Sequence, residues 1–247
     1  MREEYRTVTT GRYPISCKSY ISETRPKGII LGVHGFAGDK ESSALKALAE
    51  AVCEKGVSLT CFDFPAHGAS ETSDDMLSVK NCMDDLLFIA DQCRKEYPNE
   101  KKYVFATSFG GYIALLCCKA LSDFSIVLRA PAVTMPEHIL TDLLHTTPEE
   151  FEKAGTITCG FERKICLPYS FYDELQKHKI AYCVCNNPML IIHGDKDDVV
   201  PHQDIVAFCK KHKNAILQTI HGADHRFKKP GEIEQVIESA LAYWKLW

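Results

Sequence analysis

Short apolar runs alternate with helix-period segments along most of this chain, and this alternation is the feature that most restricts its fold. Each run has the length and the β-branched, aromatic or leucine content of a buried strand. The segments between the runs repeat apolar residues at three- and four-residue steps, as amphipathic helices do. The pattern therefore predicts an α/β chain with a doubly wound, mostly parallel sheet covered by helices on both faces.

The apolar runs give six core strands in the predicted sheet. They lie at residues 29–33, 57–62, 103–107, 125–128, 189–193 and 215–220. Two earlier pieces, near Tyr5 and Ile15, are expected to add an antiparallel edge. Five helices are predicted between the strands, at residues 42–55, 75–97, 109–121, 202–212 and 231–247.

Residues 131–188 interrupt this alternation. The segment is far longer than an ordinary connection and has no run suited to the parallel sheet, so we expect a small inserted cap. Within it, the pattern predicts a helix at 137–144, a hairpin at 157–166 around Gly160, and a helix at 170–178 capped by Ser170. The chain then divides into a first core part at 1–130, the cap at 131–188 and a second core part at 189–247.

The predicted cap is rich in aromatic side chains. They are Phe151, Phe161, Tyr169, Phe171 and Tyr172. Such rings either line an acyl pocket or pack the insertion onto the core, and the sequence leaves both alternatives open.

Charge and hydropathy restrict the class of partner. The 247 residues contain 29 Lys and Arg against 33 Asp and Glu, a formal net charge of −4. This balance lacks the basic footprint of a protein that binds nucleic acid or an anionic membrane, so a small-molecule partner is expected. The printed start has no apolar segment behind a basic one, and no apolar run approaches a membrane span. We therefore expect a cytoplasmic protein.

Twelve cysteines are scattered through apolar segments of the chain. This placement favours reduced, mostly buried thiols over a disulfide framework. The pairs Cys117-Cys118 and Cys183-Val184-Cys185 lack the two-residue spacer of paired zinc ligands. No metal site is expected.

The strongest chemical signal is Ala106-Thr107-Ser108-Phe109-Gly110, between a predicted strand and a predicted helix. A nucleophile elbow needs small residues two positions before and after the nucleophile, because the turn brings neighbouring strands close. Ala106 and Gly110 satisfy this requirement. Ser108 is then the candidate nucleophile, and the Phe109 amide can stabilise an oxyanion. The alternative is a serine that caps the helix, followed by small packing residues.

A second turn, His34-Gly35-Phe36, follows the first core strand. Hydrolases of this architecture take their second oxyanion donor from such a turn, which here is the Phe36 amide. His34 is interpreted as a structural residue of the turn.

Polar loops follow the last two predicted strands. One begins Gly194-Asp195-Lys196-Asp197-Asp198, and the other reads His221-Gly222-Ala223-Asp224-His225. Open α/β sheets place their sites at the carboxyl ends of strands, so an acid and a base are expected from these loops.

The chain resembles the α/β-hydrolase superfamily, specifically the small capped serine hydrolases that include bacterial cinnamoyl (feruloyl) esterases. The resemblance rests on five motifs in the family's order: the turn at 34–36, FDFPAHGAS at 62–70, the elbow at 106–110, HGDKDDVVP at 193–201 and GADH at 222–225. It implies that Asp197 is the catalytic acid and His225 the base. Asp195 and Asp198 are second choices, and His221 shapes the loop.

The chain departs from the family pattern at two motifs. Family elbows usually read G-H-S-x-G, whereas this chain has Ala106 and Thr107 before the serine. Pro65 and Ala66 also replace the first two residues of the usual R-G-H-G turn, which leaves the local contacts to substrate open.

The resemblance implies a serine carboxylesterase for small carboxylic esters, hydroxycinnamoyl esters among them. Ser108 would attack the ester, His225 would take its proton, and Asp197 would orient the imidazole, with no metal or organic cofactor. A peptidase, lipase or acyltransferase of the same fold is an alternative, as is a non-catalytic binding module. Further polar residues near the loops are assigned to turn and packing roles. They are Asp63, His67 and Asp224.

Overall fold

A large twisted sheet is the centre of the computed structural model, which describes residues 1–160, 163–180 and 185–246. Its strands are β1 (Arg2–Thr9), β2 (Pro14–Ile21), β3 (Gly28–Val33), β4 (Val57–Phe62), β5 (Lys101–Thr107), β6 (Phe124–Arg129), β9 (Met189–Gly194) and β10 (Ala215–Ile220). Two further strands, β7 (Thr156–Cys159) and β8 (Ile165–Pro168), form a separate antiparallel hairpin.

The order in the large sheet is β1-β2-β4-β3-β5-β6-β9-β10. β1 pairs antiparallel with β2, and β2 pairs antiparallel with β4. All pairings from β4 to β10 are parallel. The predicted doubly wound, mostly parallel sheet with an antiparallel edge is therefore confirmed.

Eight helices occur among the described residues. They are α1 (Ser43–Cys53), α2 (Val79–Glu96), α3 (Phe109–Leu116), α4 (Met135–His138), α5 (Pro148–Ala154), α6 (Tyr169–Lys177), α7 (His202–Lys211) and α8 (Glu232–Trp244). A π-helical turn at Ile139–Leu144 continues α4, and Asp74–Met76 forms a short 3₁₀ turn before α2.

Two apolar cores cover the two faces of the sheet, because successive strand residues point to opposite sides. Leu31 and Val104 belong to the core that contains α2 and α3. Their neighbours Ile30 and Phe105 belong to the core that contains α1 and α8. Burial on both faces explains why the central strands are continuous apolar runs rather than alternating ones.

Two predicted core helices are longer than the helices in the structure. α2 begins at Val79 rather than at residue 75, because the Ser78 hydroxyl accepts a hydrogen bond from the Asn81 amide (3.0 Å) and caps the helix there. α3 ends at Leu116 rather than at residue 121. The chain beyond it turns tightly, and the Asn187 side chain donates to the Cys118 and Leu121 carbonyls (2.9 and 3.0 Å).

Between β6 and β9, no described residue joins the large sheet. The segment contains the predicted hairpin and two predicted helices, but the pattern missed α5. The sequence does contain a local pattern for the start of α5. Thr147 and Glu150 form a capping box, and Pro148 occupies the first turn. The proposed division of the chain at 131 and 188 stays a prediction.

Ser170 does not cap α6, contrary to the prediction. The helix begins one residue earlier, after the extended Pro168, and its N-terminus has no side-chain cap. Glu174 of the same helix accepts hydrogen bonds from the Val79 and Lys80 amides at the start of α2 (2.8 and 2.9 Å).

The described aromatic residues of this segment pack against the protein rather than line the main cavity. Phe151 is fully buried and contacts the Tyr169 and Tyr172 rings, with centroids 5.3 and 6.5 Å apart. Phe171 is buried against Phe36 at 6.1 Å. For these four side chains the structure selects the packing alternative, and Phe161 lies outside the described residues.

Eight of the described cysteines are buried. They agree with the predicted thiol interpretation, and Cys183 lies outside the described residues. No described helix has the length and apolar character needed to cross a membrane.

Candidate active site

Ser108 occupies a strained turn between β5 and α3. Its φ of 51° is in the left-handed region, which non-glycine residues rarely adopt. The Ser108 amide donates to the Arg129 carbonyl on β6 (3.0 Å), and its carbonyl accepts from the Tyr112 and Ala132 amides (3.0 and 3.1 Å). These bonds hold the strain in place and fix the side chain at the carboxyl end of the sheet.

The predicted small residues permit this turn. Ala106 is fully buried in β5. A Cβ at Gly110 would overlap the His34 carbonyl oxygen and approach the Val33 side chain to 2.8 Å. The first turn of α3 therefore packs directly against the end of β3, which requires glycine at position 110.

Ser108, His225 and Asp197 form one chain of hydrogen bonds. The Ser108 Oγ lies 3.0 Å from the His225 Nε2, and the His225 Nδ1 lies 2.8 Å from the Asp197 Oδ2. The other carboxylate oxygen accepts from the Val199 and Val200 amides (2.9 and 2.7 Å). The structure brings together the three side chains that the sequence singled out, although Asp197 and His225 are 28 positions apart in the chain.

The hydrogen-bond roles follow from the donors and acceptors. An ionised carboxylate only accepts, so the His225 Nδ1 carries the proton shared with Asp197. In the neutral ring the Nε2 is then unprotonated and accepts from the Ser108 hydroxyl. This is the tautomer in which histidine can act as a general base toward serine.

Asp197 stays ionised although its carboxylate is fully buried. Burial raises its pKa, but the His225 hydrogen bond and charge and the Val200 amide outweigh burial and leave the pKa below its ordinary value. The acid is thus held in the charged form that the imidazole requires.

His193 is a supporting residue that sequence reasoning missed. Its Nε2 lies 3.0 Å from the Val200 carbonyl and 3.2 Å from the Asp197 Oδ2. A carbonyl only accepts, so this nitrogen carries a proton directed at both oxygens. Burial lowers the pKa of His193. The available signal was its position at the end of the strand that leads into the acid loop.

The other candidates in the two polar loops do not join this hydrogen-bond chain. Asp195 accepts from the His221 Nδ1 and the Gly222 amide (2.9 and 2.7 Å), and the His221 side chain is 88% exposed. Asp198 is exposed to solvent. Asp224 accepts from the Arg226 amide (2.9 Å), which matches its predicted turn role.

The two predicted oxyanion donors flank Ser108. Phe109 is the first residue of α3, and amides of the first helical turn have no partner within the helix. The His34–Phe36 turn passes so close that a Cβ at Gly35 would lie 3.2 Å from the Ser108 Cβ. Among the described residues, no hydrogen bond uses either the Phe36 or the Phe109 amide. Both amides are available to a ligand.

The polar residues behind this turn are structural. The His34 Nδ1 contacts the Gly35 carbonyl (2.7 Å), and its Nε2 accepts from the Phe64 amide (3.1 Å). Asp63 is buried and accepts from both the amide and the ammonium of Lys40 (2.8 and 2.7 Å). His67 is fully buried, which lowers its pKa to about 3 and keeps it neutral.

A cavity of about 630 Å³ opens above Ser108 and His225. Small-molecule sites commonly have this volume. One wall is the apolar face of α4 and its π-helical continuation, formed by Met135, Ile139 and Leu143. The Ser108 hydroxyl, the His225 imidazole and the residues of both predicted oxyanion donors, Phe36 and Phe109, therefore share one cavity. Among the described residues, no group of acidic, His or Cys side chains could hold a metal ion.

Solved structures share this architecture. The ferulic acid complex of Est1E from Butyrivibrio proteoclasticus superposes with a TM-score of 0.85 and 25% sequence identity, over 97% of this chain and 99% of that chain. The mouse alpha/beta hydrolase domain-containing protein 10 gives a TM-score of 0.80 at 19% identity, over 98% of both chains. The chain therefore has the α/β-hydrolase fold and resembles cinnamoyl esterases, as expected from the motifs.

Curated relatives are hydrolases that act on acyl groups. The mouse mitochondrial palmitoyl-protein thioesterase ABHD10 is 24% identical over 221 residues, which cover 84% of this chain and 72% of the relative. The zebrafish lysophosphatidylserine lipase ABHD12 is 23% identical over 181 residues, or 71% of this chain. This chain spans only 44% of the zebrafish protein.

A family match covers more than half of the chain. Residues 24–156 match the hydrolase family described as serine aminopeptidase, S33. The matched segment includes both the His34–Phe36 turn and the Ser108 elbow. The chain is thus an α/β hydrolase that belongs to the serine aminopeptidase S33 family.

Proposed function

We propose that the protein is a serine carboxylesterase that hydrolyses small carboxylic esters. The observation that carries the proposal is the hydrogen-bond chain from Ser108 through His225 to Asp197 at the floor of a ligand-sized cavity. This arrangement fits the chemistry of acyl transfer, because each group has the partner that its role requires.

The reaction proceeds in two steps. The Ser108 oxygen attacks the ester carbonyl while its proton passes to the His225 Nε2, and collapse of the tetrahedral intermediate expels the alcohol with that proton. Water then attacks the acyl-enzyme by the same proton transfer and releases the acid. The Phe36 and Phe109 amides stabilise both oxyanions, and one such donor is typically worth about 3 kcal/mol of barrier.

Hydroxycinnamoyl esters are the proposed substrates within this class. Similarity to the ferulic acid complex of Est1E over nearly the whole chain supports this choice. Phe36 and Phe109 both line the cavity and contact each other edge to face at 5.7 Å, but Phe109 is fully buried. The α4 wall is aliphatic. We therefore expect aromatic acyl groups to pack between Phe36 and aliphatic side chains rather than in an aromatic cage.

An acyl thioesterase is the second candidate. The mouse relative, a palmitoyl-protein thioesterase, supports it because it aligns with 84% of this chain. The same triad serves esters and thioesters, so the two candidates differ in substrate and not in mechanism.

A substrate panel separates these candidates. The kcat/KM values for methyl ferulate, a short aliphatic ester, a long-chain acylglycerol and a palmitoyl thioester are measured on one preparation. Methyl ferulate is expected to be the preferred substrate. A preference for the thioester or the acylglycerol would overturn the substrate assignment while leaving the mechanism in place.

The Ser108→Ala variant tests the mechanism itself. We expect loss of ester hydrolysis and of labelling by a fluorophosphonate probe, with an unchanged melting temperature. Wild-type protein that resists the probe and hydrolyses none of the panel would instead be a non-catalytic binding module. The expected cytoplasmic location stays a prediction that imaging of the tagged protein tests.

A further inference from the structure

Arg129 is a charged side chain of the cavity that the proposed mechanism does not use. It ends β6, where it pairs with Thr107 of β5, and its carbonyl accepts the Ser108 amide. Its side chain lines the same cavity as Ser108 and His225. The lining of this cavity therefore includes a positively charged residue.

The guanidinium has no protein partner in the described part of the chain. Its Nε is buried without a hydrogen bond, and none of the hydrogen bonds or ion pairs of the described residues involves this side chain. Buried donors are nearly always paired, and an unpaired one costs about 1–3 kcal/mol. Burial also lowers the pKa of Arg129 to about 10, although the Asp197 and Asp224 charges oppose this effect. The group remains charged at neutral pH.

Phe227 holds the guanidinium in place. The Arg129 Cζ lies 5.4 Å from the centroid of the Phe227 ring, which is buried two residues after His225. A cation over an aromatic ring is attracted to the ring face without a hydrogen-bond acceptor, so this contact does not pair the guanidinium N–H groups with an acceptor. The Phe227 contact thus restrains the Arg129 guanidinium without giving it a hydrogen bond or an ion pair.

The acidic residues of the same cavity already have partners. Glu41 pairs with Lys18 at 2.6 Å, and an Asp142 carboxylate oxygen lies 3.4 Å from the His138 Nδ1. Asp39 accepts the Glu41 amide (2.8 Å). None of these three carboxylates pairs with Arg129, so an anionic ligand can supply the partner of its charge.

We propose that Arg129 binds an anionic group of the ester substrate, a carboxylate or a phosphate, and so determines which esters the enzyme prefers. This proposal rests on the proposed function and specifies its substrate class. A guanidinium binds either oxyanion through two parallel hydrogen bonds. The anion lies on the acyl or on the alcohol part of the ester, and the test distinguishes these two sources.

Two matched ester pairs provide the test. For the acyl side, the mono-4-nitrophenyl ester of adipic acid is compared with 4-nitrophenyl hexanoate, which has the same chain length without the carboxylate. For the alcohol side, butyryl-glycerol phosphate is compared with monobutyrylglycerol. The readout is the ratio of kcat/KM values, anionic over neutral, for each pair.

In at least one pair, we expect the Arg129→Gln variant to lower this ratio by about 10- to 100-fold, the value of a charge-assisted hydrogen bond. Arg129→Lys should retain part of the preference, because an ammonium supplies the charge but not the paired donors. Arg94→Gln is the matched control. It removes the same charge from the surface pair with Asp123 and should leave both ratios unchanged. Ratios that Arg129→Gln leaves unchanged in both pairs would overturn the proposal, whatever happens to the absolute rates.

A binding measurement separates this proposal from the proposed function. In the Ser108→Ala background, calorimetry with adipate and with glycerol 3-phosphate measures anion binding without turnover. Binding of either anion that Arg129→Gln abolishes supports the Arg129 site even if none of the four esters is hydrolysed. Hydrolysis of neutral esters without Arg129-dependent anion binding or preference would reject the site and keep the esterase.

Discussion

The Glu174 carboxylate of α6 accepts a hydrogen bond from the Val79 amide at the start of α2, across 2.8 Å and 95 residues of chain. It also accepts a hydrogen bond from the Lys80 amide, so it pairs two of the N–H donors that a helix leaves without a partner at its N-terminus. The negative charge further interacts favourably with the helix dipole. One side chain thus fastens the segment between β6 and β9 to the core.

Replacement of Glu174 by Ala should therefore destabilise the protein by about 1–2 kcal/mol, as the loss of a helix cap does. Urea unfolding monitored by circular dichroism measures the change. Asp173→Ala is the matched control, because the neighbouring side chain is exposed. Equal effects of the two substitutions would show that the Glu174 contact contributes no specific stability.

The Glu174 contact also shows where sequence reasoning fails. The central core strands were predictable because burial on both faces makes them continuous apolar runs, whereas the edge strand β10 is partly exposed. The sequence predicts a local cap at Ser170, yet α6 has no side-chain cap, and the Glu174 carboxylate of that helix caps a helix elsewhere in the chain. A local pattern cannot rank a nearby backbone donor against one that only the tertiary structure supplies.

The candidate site also contains residues that the sequence predicted and residues that it did not. Ser108, Asp197 and His225 could be predicted as neighbours because each lies in a loop whose short motif and strand-end position are visible in the sequence. His193 and Arg129 were missed. His193 appeared only as the first residue of the HGDKDDVVP motif, without a role, and Arg129 only as a polar residue that follows an apolar strand. Their contacts depend on how neighbouring strands and loops meet in space.

Asp197→Asn should lower kcat for a chromogenic ester by a factor on the order of 10⁴, because the amide no longer holds the required His225 tautomer. Asp195→Asn and Asp198→Asn are the controls from the same loop. Asp195 contacts His221 and not His225, so both controls should lose far less. A larger loss of kcat at either control than at Asp197 would show that Asp197 is not the catalytic acid.

Gly110→Ala tests the packing of the elbow. Alanine favours a helix over glycine by about 1 kcal/mol, so propensity alone predicts stabilisation. The new Cβ would overlap the His34 carbonyl oxygen, and overpacking of this kind typically costs about 1–3 kcal/mol. We expect a net loss of stability in thermal unfolding and a lower kcat, since α3 must shift and carry Ser108 with it. A variant more stable than the wild type would contradict the close approach of α3 to β3.

Asp85 gives the stability of the protein a pH dependence that is independent of the catalytic site. The carboxyl is buried beneath Tyr13, whose hydroxyl lies 2.9 Å from both of its oxygens, and Arg12 lies 3.1 Å away. Burial raises the pKa of Asp85 to about 7 from 3.8, although the Tyr13 hydrogen bond and the Arg12 charge oppose it. Between these two values the folded state binds more protons than the unfolded state, so the contribution of Asp85 to stability falls as the pH rises.

Asp85→Asn removes this titration. The free energy of unfolding of the variant, minus that of the wild type, should increase between pH 4 and pH 7 by on the order of 4 kcal/mol and then become constant. Urea titrations of both proteins across this range measure the difference. Asp84→Asn is the control, because it removes another carboxylate paired with Arg12, at 2.9 Å, whose side chain is 38% exposed. A difference for Asp85→Asn that stays flat over this range would mean that the carboxyl ionises in the folded protein as easily as in the unfolded chain, and that Tyr13 and Arg12 fully offset its burial.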